Sequence, residues 1–502
     1  MTEEISESSG PSSRSLLPTT WTTLPLDAPD WVVPVGVAAF TGLKPYFSTG
    51  SIRGSARVPE GVFGFPNRPT RANRIGRKWD VLQARMEGAS KALIVTESLD
   101  NSLFSTGFMQ WRPPFAPETL GPWLFYAVQT PDFLDQRDRL ASGTTQVALS
   151  DRNLSKITVP IAPLAEQRRI VEAIETRFER LDAAVRVLER ARVNLKRYRA
   201  SVLEAACSGR LVRTEASLAR GNGTNYEPAT ALVARLSEER RRARAELGSR
   251  RGLINVSDVT LPSEPLPEGW RWYLWEELAA RITVGYVGPI STQHSEVGVP
   301  LVRSQNVRPN RFEPKGMSHV PHEFYLANRK CGVSGGDICV VRSGDVGVAC
   351  VIPRGLGEAL CSDLVIIQRP ICVIPQYGSY VMNSVARQRV LRGKVGIGLS
   401  HYNTKSVAAL PIPVPPMAEQ ERIVGEVEGR LSAVDAASLE VERGLFRCVR
   451  LRNSVLNSAF EGRLVPQDPN DESASALLER IKQVCQTTSA PAHRIREAGS
   501  PT

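Results

Sequence analysis

With 502 residues, 42% of them apolar, the chain is too long for a single core and too apolar for wholesale disorder, so two to four domains are expected. Its formal net charge of +11 fits either an arginine-rich surface or a polyanionic partner, because clustered Lys and Arg gain affinity by releasing counterions from phosphates. Eight cysteines with no CxxC pair favour reduced, structural thiols over a disulfide framework or a zinc site.

Residues 1–20 are Ser-rich and acidic at their start, without the basic, apolar, small-residue order of a signal peptide, and are expected to be a disordered tail. The apolar run Trp31–Phe40 contains Pro34 and is about half the length of a membrane span, so a cytoplasmic chain without membrane contact is expected. Residues 21–159 carry Val, Ile, aromatics, Gly and Pro at short intervals, the pattern of strands and turns in a globular domain. Within them Arg68, Arg71, Arg74, Arg77 and Lys78 succeed one another with no acidic residue before Asp80. Interleaved with Asn67, Thr70 and Asn73, they form a candidate phosphate-tracking, base-reading segment; a solvated surface loop is the plainer alternative.

Pro160 and Pro163 forbid a helix before them, and about forty residues free of Pro and Gly follow. Apolar residues recur at Ile170, Ile174, Phe178, Leu181, Val185, Leu188, Leu195, Tyr198 and Val202, steps of three and four that describe a stripe on one long helix. The helical spacer is placed at 160–212 and a linker with a short basic helix at 213–262. Ala165–Arg251 holds 20 Lys or Arg against 12 Asp or Glu, with Arg235, Arg240, Arg241, Arg242 and Arg244 on that short helix. It suits a partner protein, the DNA backbone, or simple solvent exposure.

Residues 263–412 read as a second strand-rich domain. Cys331, Cys339, Cys350, Cys361 and Cys372 fall eight to eleven residues apart, as buried strand positions would. After an expected strand, Arg303, Ser304, Gln305 and Asn306 set side chains competent for guanine and adenine on consecutive positions. Arg342 and Ser343 sit at an expected hairpin turn after Ile338–Val341, where Arg342 either reaches a groove or pairs with Asp345. His401, Tyr402, Asn403 and Lys405 offer donors in a loop before a second proline stretch, Pro411–Pro416. A second helical spacer is expected at 413–465, and a C-terminal helix and tail at 466–502.

The two spacers are copies. At a constant offset of 253, Ala165–Val212 matches Ala418–Val465 without a gap, with 23 of 48 pairs identical. Glu166-Gln167 falls on Glu419-Gln420, and Gly209-Arg210-Leu211-Val212 on Gly462-Arg463-Leu464-Val465. Two equal apolar stripes argue for helices that pair with each other, most naturally antiparallel, each about 60 Å long; two independent helical hairpins are the alternative. Gly444 admits a bend in the second helix. The two globular stretches hardly match, as in a two-part reader with two different targets.

Enzyme motifs are missing. The nearest approach to an adenine-methyltransferase tetrad, Arg112-Pro-Pro-Phe115, begins with arginine, which offers only donors where an acceptor is needed. There is no GxxxxGK[ST] phosphate loop for ATP, and five scattered histidines support no nucleophilic triad.

The order of variable unit, PIAPLAEQRRIVEAIETRFERLD, variable unit, PIPVPPMAEQERIVGEVEGRLSAVD resembles specificity subunits of type I restriction-modification systems. SVLEAACSGRLV, SVLNSAFEGRLV and LPEGWRWYLWEELA resemble the same family. The resemblance implies an α+β, non-catalytic protein in which two target-recognition domains are held apart by two long antiparallel helices with pseudo-two-fold symmetry. It implies double-stranded DNA as ligand, with each domain reading one half of a split site. It also implies two methyltransferase subunits carrying S-adenosylmethionine and two motor-nuclease subunits using ATP and Mg, with no cofactor on this chain. Methyltransferase docking on the helices makes Glu166, Gln167, Arg210, Glu419, Gln420 and Arg463 the candidate partner contacts. The alternatives are a recognition subunit of a methylation-only or other phage-defence system, and a coiled-coil scaffold with no DNA role.

Overall fold

The computed structural model describes residues 17–28, 31–53, 56–143, 147–248, 254–257, 259–290, 293–384 and 403–488. The chain divides into two units: Met1–Leu188 with Arg443–Thr502, and Glu189–Glu442. Both are mixed α and β, as expected.

In the first unit, strand Thr22–Pro25 pairs antiparallel with Thr158–Ile161, so the chain enters and leaves the globular part side by side. A four-stranded sheet runs in the order Gly61–Phe63, Lys44–Phe47, Leu103–Ser105, Ala72–Ile75, with its central pair parallel. A three-stranded sheet, Phe108–Trp111, Val81–Ala84, Ala92–Ile94, lies next in the chain's logic. The residues Ile52–Arg53 and Ala56–Arg57 make a separate two-stranded ribbon. Helices Pro117–Ala127 and Pro131–Leu140 each begin at a proline, whose missing N–H costs nothing in a first turn. The core gathers Trp111, Leu120, Trp123 and Phe133 around Ile170, Ile174 and Phe178 of the first spacer helix and Leu456, Ala459 and Phe460 of the second.

The second unit repeats this plan with a different sequence. Arg271–Leu274 pairs with Pro411–Val414. The sheet Ser318–Val320, Val299–Val302, Ala359–Cys361, Gly332–Val333 has the same strand order and the same parallel central pair. The other sheet, Leu364–Pro370, Ile338–Val341, Ala349–Val351, gains the extra edge strand Ala279–Val284. The ribbon Val307–Arg308 with Arg311–Phe312 again follows the first sheet strand. Cys339, Cys350 and Cys361 are fully buried strand residues with free thiols, and Cys331 and Cys372 are buried outside strands.

The spacer helices run unbroken over Leu164–Cys207 and Met417–Phe460, 44 residues each. Within the first unit they are antiparallel: Arg452 pairs with Asp182 at 2.8 Å and lies 3.9 Å from the Phe178 ring centroid, and Gly444 faces Leu188. Within the second unit Arg199 pairs with Asp435, and Val202, Leu203 and Ala206 pack with Ile423, Val427 and Leu431. The helix continues through Gly444 without a break. A Cβ at Gly444 would stand 3.1 Å from Leu188 Cδ1, so the glycine serves close helix approach.

Candidate nucleic-acid interface

In the second unit the strands Val299–Val302 and Ala359–Cys361 are parallel with Val302 beside Cys361, so Arg303 and Ser362 leave the sheet at the same edge. Leu364 pairs with Val341, which brings the turn beginning at Arg342 to that edge too. There Arg342 meets Asp363 at 3.3 Å, and Ser343 Oγ donates to the same carboxylate at 3.3 Å. The arginine therefore pairs with Asp363, not with Asp345. Arg303 donates to Ser318 Oγ at 2.7 Å, and Ser304 and Gln305 are exposed beside it. The edge thus unites Arg303, Ser304, Gln305, Arg342 and Ser343.

Asn306 does not belong to this surface. It is fully buried, accepting from Arg303 N at 3.1 Å and donating to Glu313 O at 2.9 Å, and its amide holds the turn that presents its neighbours. Asn403 caps the short helix Thr404–Ala408 by accepting from Ser406 N at 2.8 Å, while Lys405 is exposed. Thr404 joins Tyr286 and Val287 in lining a cleft of about 660 Å³. Tyr286 is bonded to Cys361 and Asp363, which places its part of the cleft wall beside the edge. His401 and Tyr402 lie outside the described residues.

The basic run of the first unit is not one patch. It crosses the strand Ala72–Ile75, and residues before and after a strand emerge at opposite ends, about 13 Å apart at 3.3 Å per residue. Arg71 is exposed at the end shared with Thr106, whose N–H it accepts. Arg74 is within the strand, 3% exposed, donating to Val33 O at 2.8 Å, and burial lowers its pKa to about 10. It cannot meet a phosphate. Arg68 donates to the carbonyls of Phe65 and Ala72 and stacks on Phe65, holding its own loop. Arg77 and Lys78 occupy the far end, where Lys78 is paired with Glu97.

The shared topology locates what the sequence hid. The residue after Lys44–Phe47, Ser48, takes the place of Arg303, and the residue after Val81–Ala84, Arg85, takes the place of Arg342. Arg85 bonds Asp151 at 3.0 Å, and Lys91 donates to Thr49 O at 2.9 Å, so Ser48, Thr49, Arg71, Arg85 and Lys91 share one edge. Arg71 stands in the basic run, but no periodicity or motif marks Ser48, Thr49, Arg85 or Lys91; only the strand order does.

The doubled Glu-Gln motif is turned inward, against the expectation that it faces a partner. Glu166, Gln167, Glu419 and Gln420 are at most 1% exposed. Trp21 Nε1 donates to Glu166 at 2.9 Å and Trp270 Nε1 to Glu419 at 3.0 Å. Gln167 donates to Ala162 O and Gln420 to Pro415 O, each five residues back, which ties the first turn of each helix to the strand segment that precedes it. Desolvation raises the pKa of both Glu166 and Glu419, partly offset by the indole bonds. Arg210 and Arg463 remain at the surface, beside Glu204 and Glu461. The two tryptophans belong to a further repeat, Leu17-Pro18-x-x-Trp21 and Leu266-Pro267-x-x-Trp270. Pro18 packs on Gly462 and Pro267 on Gly209, so residues 17–20 are part of the first unit and not of a tail.

The short basic helix, Ala229–Glu246, packs within the second unit: Arg240 donates to Glu276 O at 2.6 Å and Arg244 pairs with the Glu276 side chain. No helix among the described residues is long and apolar enough to cross a membrane.

No family model matches the chain. It is 24% identical over 371 residues to the type I restriction enzyme EcoBI specificity subunit of Escherichia coli, covering 71% of each chain. It is 22% identical over 415 residues to the EcoKI specificity subunit of Escherichia coli (strain K12), covering 79% of each. A solved chain from work on complex assembly and conformational transition of the type I R-M system shares the fold with a TM-score of 0.63 and 20% identity, over 89% of this chain and 99% of that one. With the doubled spacer, the two like-built domains and relatives of one kind over most of its length, the chain belongs to the specificity subunits of type I restriction-modification systems.

Proposed function

We propose that the chain is the DNA-recognition subunit of such a complex, reading a bipartite site in double-stranded DNA and catalysing nothing itself. The observation that carries this is the repetition of one strand order with two divergent sequences, joined to spacer helices that stayed alike. Loops at equivalent strand ends are free to vary without disturbing the sheets, so each domain offers its own set of base-competent side chains. Arg303, Ser304, Gln305, Arg342 and Ser343 read one half-site; Ser48, Thr49, Arg71, Arg85 and Lys91 read the other.

Two methyltransferase subunits, bringing S-adenosylmethionine, and two motor-nuclease subunits, using ATP and Mg, complete the assembly. The methyltransferases dock on the spacer helices, where Phe446 is 65% and Val449 58% exposed one turn apart, an apolar pair that solvent does not favour. The test is co-expression with a methyltransferase encoded beside it, followed by genome-wide mapping of methylated adenine. A split motif that appears only with this chain, and changes in one half when residues 21–159 are exchanged, is the expected result. Methylation that is unchanged without the chain refutes the proposal. A methylated motif without restriction of incoming DNA selects the methylation-only alternative.

A further inference from the structure

The second unit contains a cleft of about 1020 Å³ that none of the base-reading side chains above enters. Its charged lining consists of Arg199, Arg308, Arg311 and Arg354 against Glu428 and Asp435, a net of two positive charges. Arg199 is spent on Asp435, and Arg311 lies 3.3 Å from Glu313. Arg308 and Arg354 are exposed and have no carboxylate partner among the described residues. Against these two guanidiniums the lining leaves one carboxylate, Glu428, so the cleft keeps a net positive charge that a bound anion would neutralise.

The cleft is also built to stay in place. Arg308 and Arg311 flank the tip of the ribbon Val307–Phe312, and the tip residue Asn310 has a left-handed φ of 61°. That turn is locked: Asn310 N donates to Ala349 O at 3.0 Å, and its side-chain oxygen accepts from Ser379 Oγ at 3.0 Å and Asn383 Nδ2 at 2.7 Å. Ser379 and Asn383 belong to the helix Pro375–Asn383, whose Tyr380 forms one wall. Such a scaffold fixes where the arginine stems start while their heads stay free to meet an oxygen.

We propose that this cleft grips the phosphodiester backbone of the bound DNA, through Arg308 and Arg354, away from the base-reading edge: Gly336 and Arg354 lie at the end of their strands where Ile338 pairs with Val351, and Arg342 lies at the other end. This rests on the DNA-recognition reading above. The contact carries no sequence information. It sets the register of the duplex and supplies affinity that falls with salt.

The experiment uses the full chain assembled with its methyltransferase and a fluorescent duplex bearing the methylated site, with anisotropy followed over a salt series. Replacing Arg308→Gln and Arg354→Gln together should lower the slope of log K against log salt by about 2, at about 0.9 per phosphate contact, and leave the methylated motif unchanged. Charge reversal at both positions should weaken binding further, with circular dichroism showing the fold intact. An unchanged slope overturns the proposal, as does a changed motif, which would make these arginines base readers. An unchanged slope with loss of methyltransferase on purification also overturns it and assigns the cleft to an acidic protein segment. If the unaltered assembly fails to bind the duplex selectively, the recognition reading itself falls, and the two failures are distinct.

Discussion

Trp270 donates its indole N–H to the buried carboxylate of Glu419 at 3.0 Å, joining the residue where the second domain begins to the helix that leaves it 149 positions later. Trp21 and Glu166 make the same closure in the first domain at 2.9 Å, across 145 positions. Each domain is therefore clasped at its neck by a fitting that does not depend on what the rest of the domain contains. This explains how the globular parts diverged while their attachment stayed alike.

Removing either indole donor leaves a buried carboxylate short of a partner. Trp21→Phe and Trp270→Phe are each expected to lower unfolding stability by about 1–3 kcal/mol, read as a shift in denaturant midpoint. A variant that unfolds at the unaltered midpoint would show that the neck bond is not a clasp.

The same carboxylates make stability depend on pH. Burial raises the folded-state pKa of Glu166 and Glu419 above the ordinary glutamate value of 4.5, so their contribution is full below that pH and is lost as pH rises through the folded value. Glu419→Gln keeps the size and removes the charge. Its melting temperature relative to the unaltered chain should climb as pH goes from about 4.5 to about 7. A difference that stays flat over this range contradicts the raised pKa.

The glycines closing the two repeats share one constraint. Gly209 and Gly462 both have φ of 71°, and a Cβ would stand 2.3 Å from Pro267 Cγ and 2.4 Å from Pro18 Cγ. Gly209→Ala and Gly462→Ala should each cost more than about 1 kcal/mol, from backbone strain and from the displaced proline. Equal stability of either variant in thermal melts would mean the proline moves aside freely.

Asn306 and Arg71 separate structural from reading roles. Asn306→Ala strands Arg303 N and Glu313 O, and should destabilise the second unit by about 1–3 kcal/mol. Arg71→Gln, at an exposed position, should leave melting unchanged and reduce the salt slope of DNA binding by about 0.9. A reversal of these two outcomes would return Asn306 to the reading surface.

Arg342 is expected to set specificity. Arg342→Gln should relax one base pair of one half-site, by about 1–3 kcal/mol of discrimination, with the other half untouched in the methylation map. Loss of both halves together would point to misfolding and not to readout.

The duplication, the two long helices and the alternation of domains were all legible in the chain, because helical periodicity and an ungapped repeat are local or linear properties. The lone arginine run was misleading for a physical reason: charge along a sequence says nothing about which residues a four-residue strand carries through the interior, and Arg74 is carried inside. The Glu-Gln motif was visible as a signature but not as a clasp, since its tryptophan partners stand about 150 residues away. Trp123 and Tyr377 show the limit most plainly. They differ in type, yet occupy equivalent helices and donate to the equivalent carbonyls of Pro160 and Pro413 at 2.9 and 2.6 Å. By itself, the sequence determined that there are two of everything. Only the tertiary structure decided which loops share an edge, because strand order, set by pairing between distant segments, brings Arg303 to Arg342 and Thr49 to Lys91.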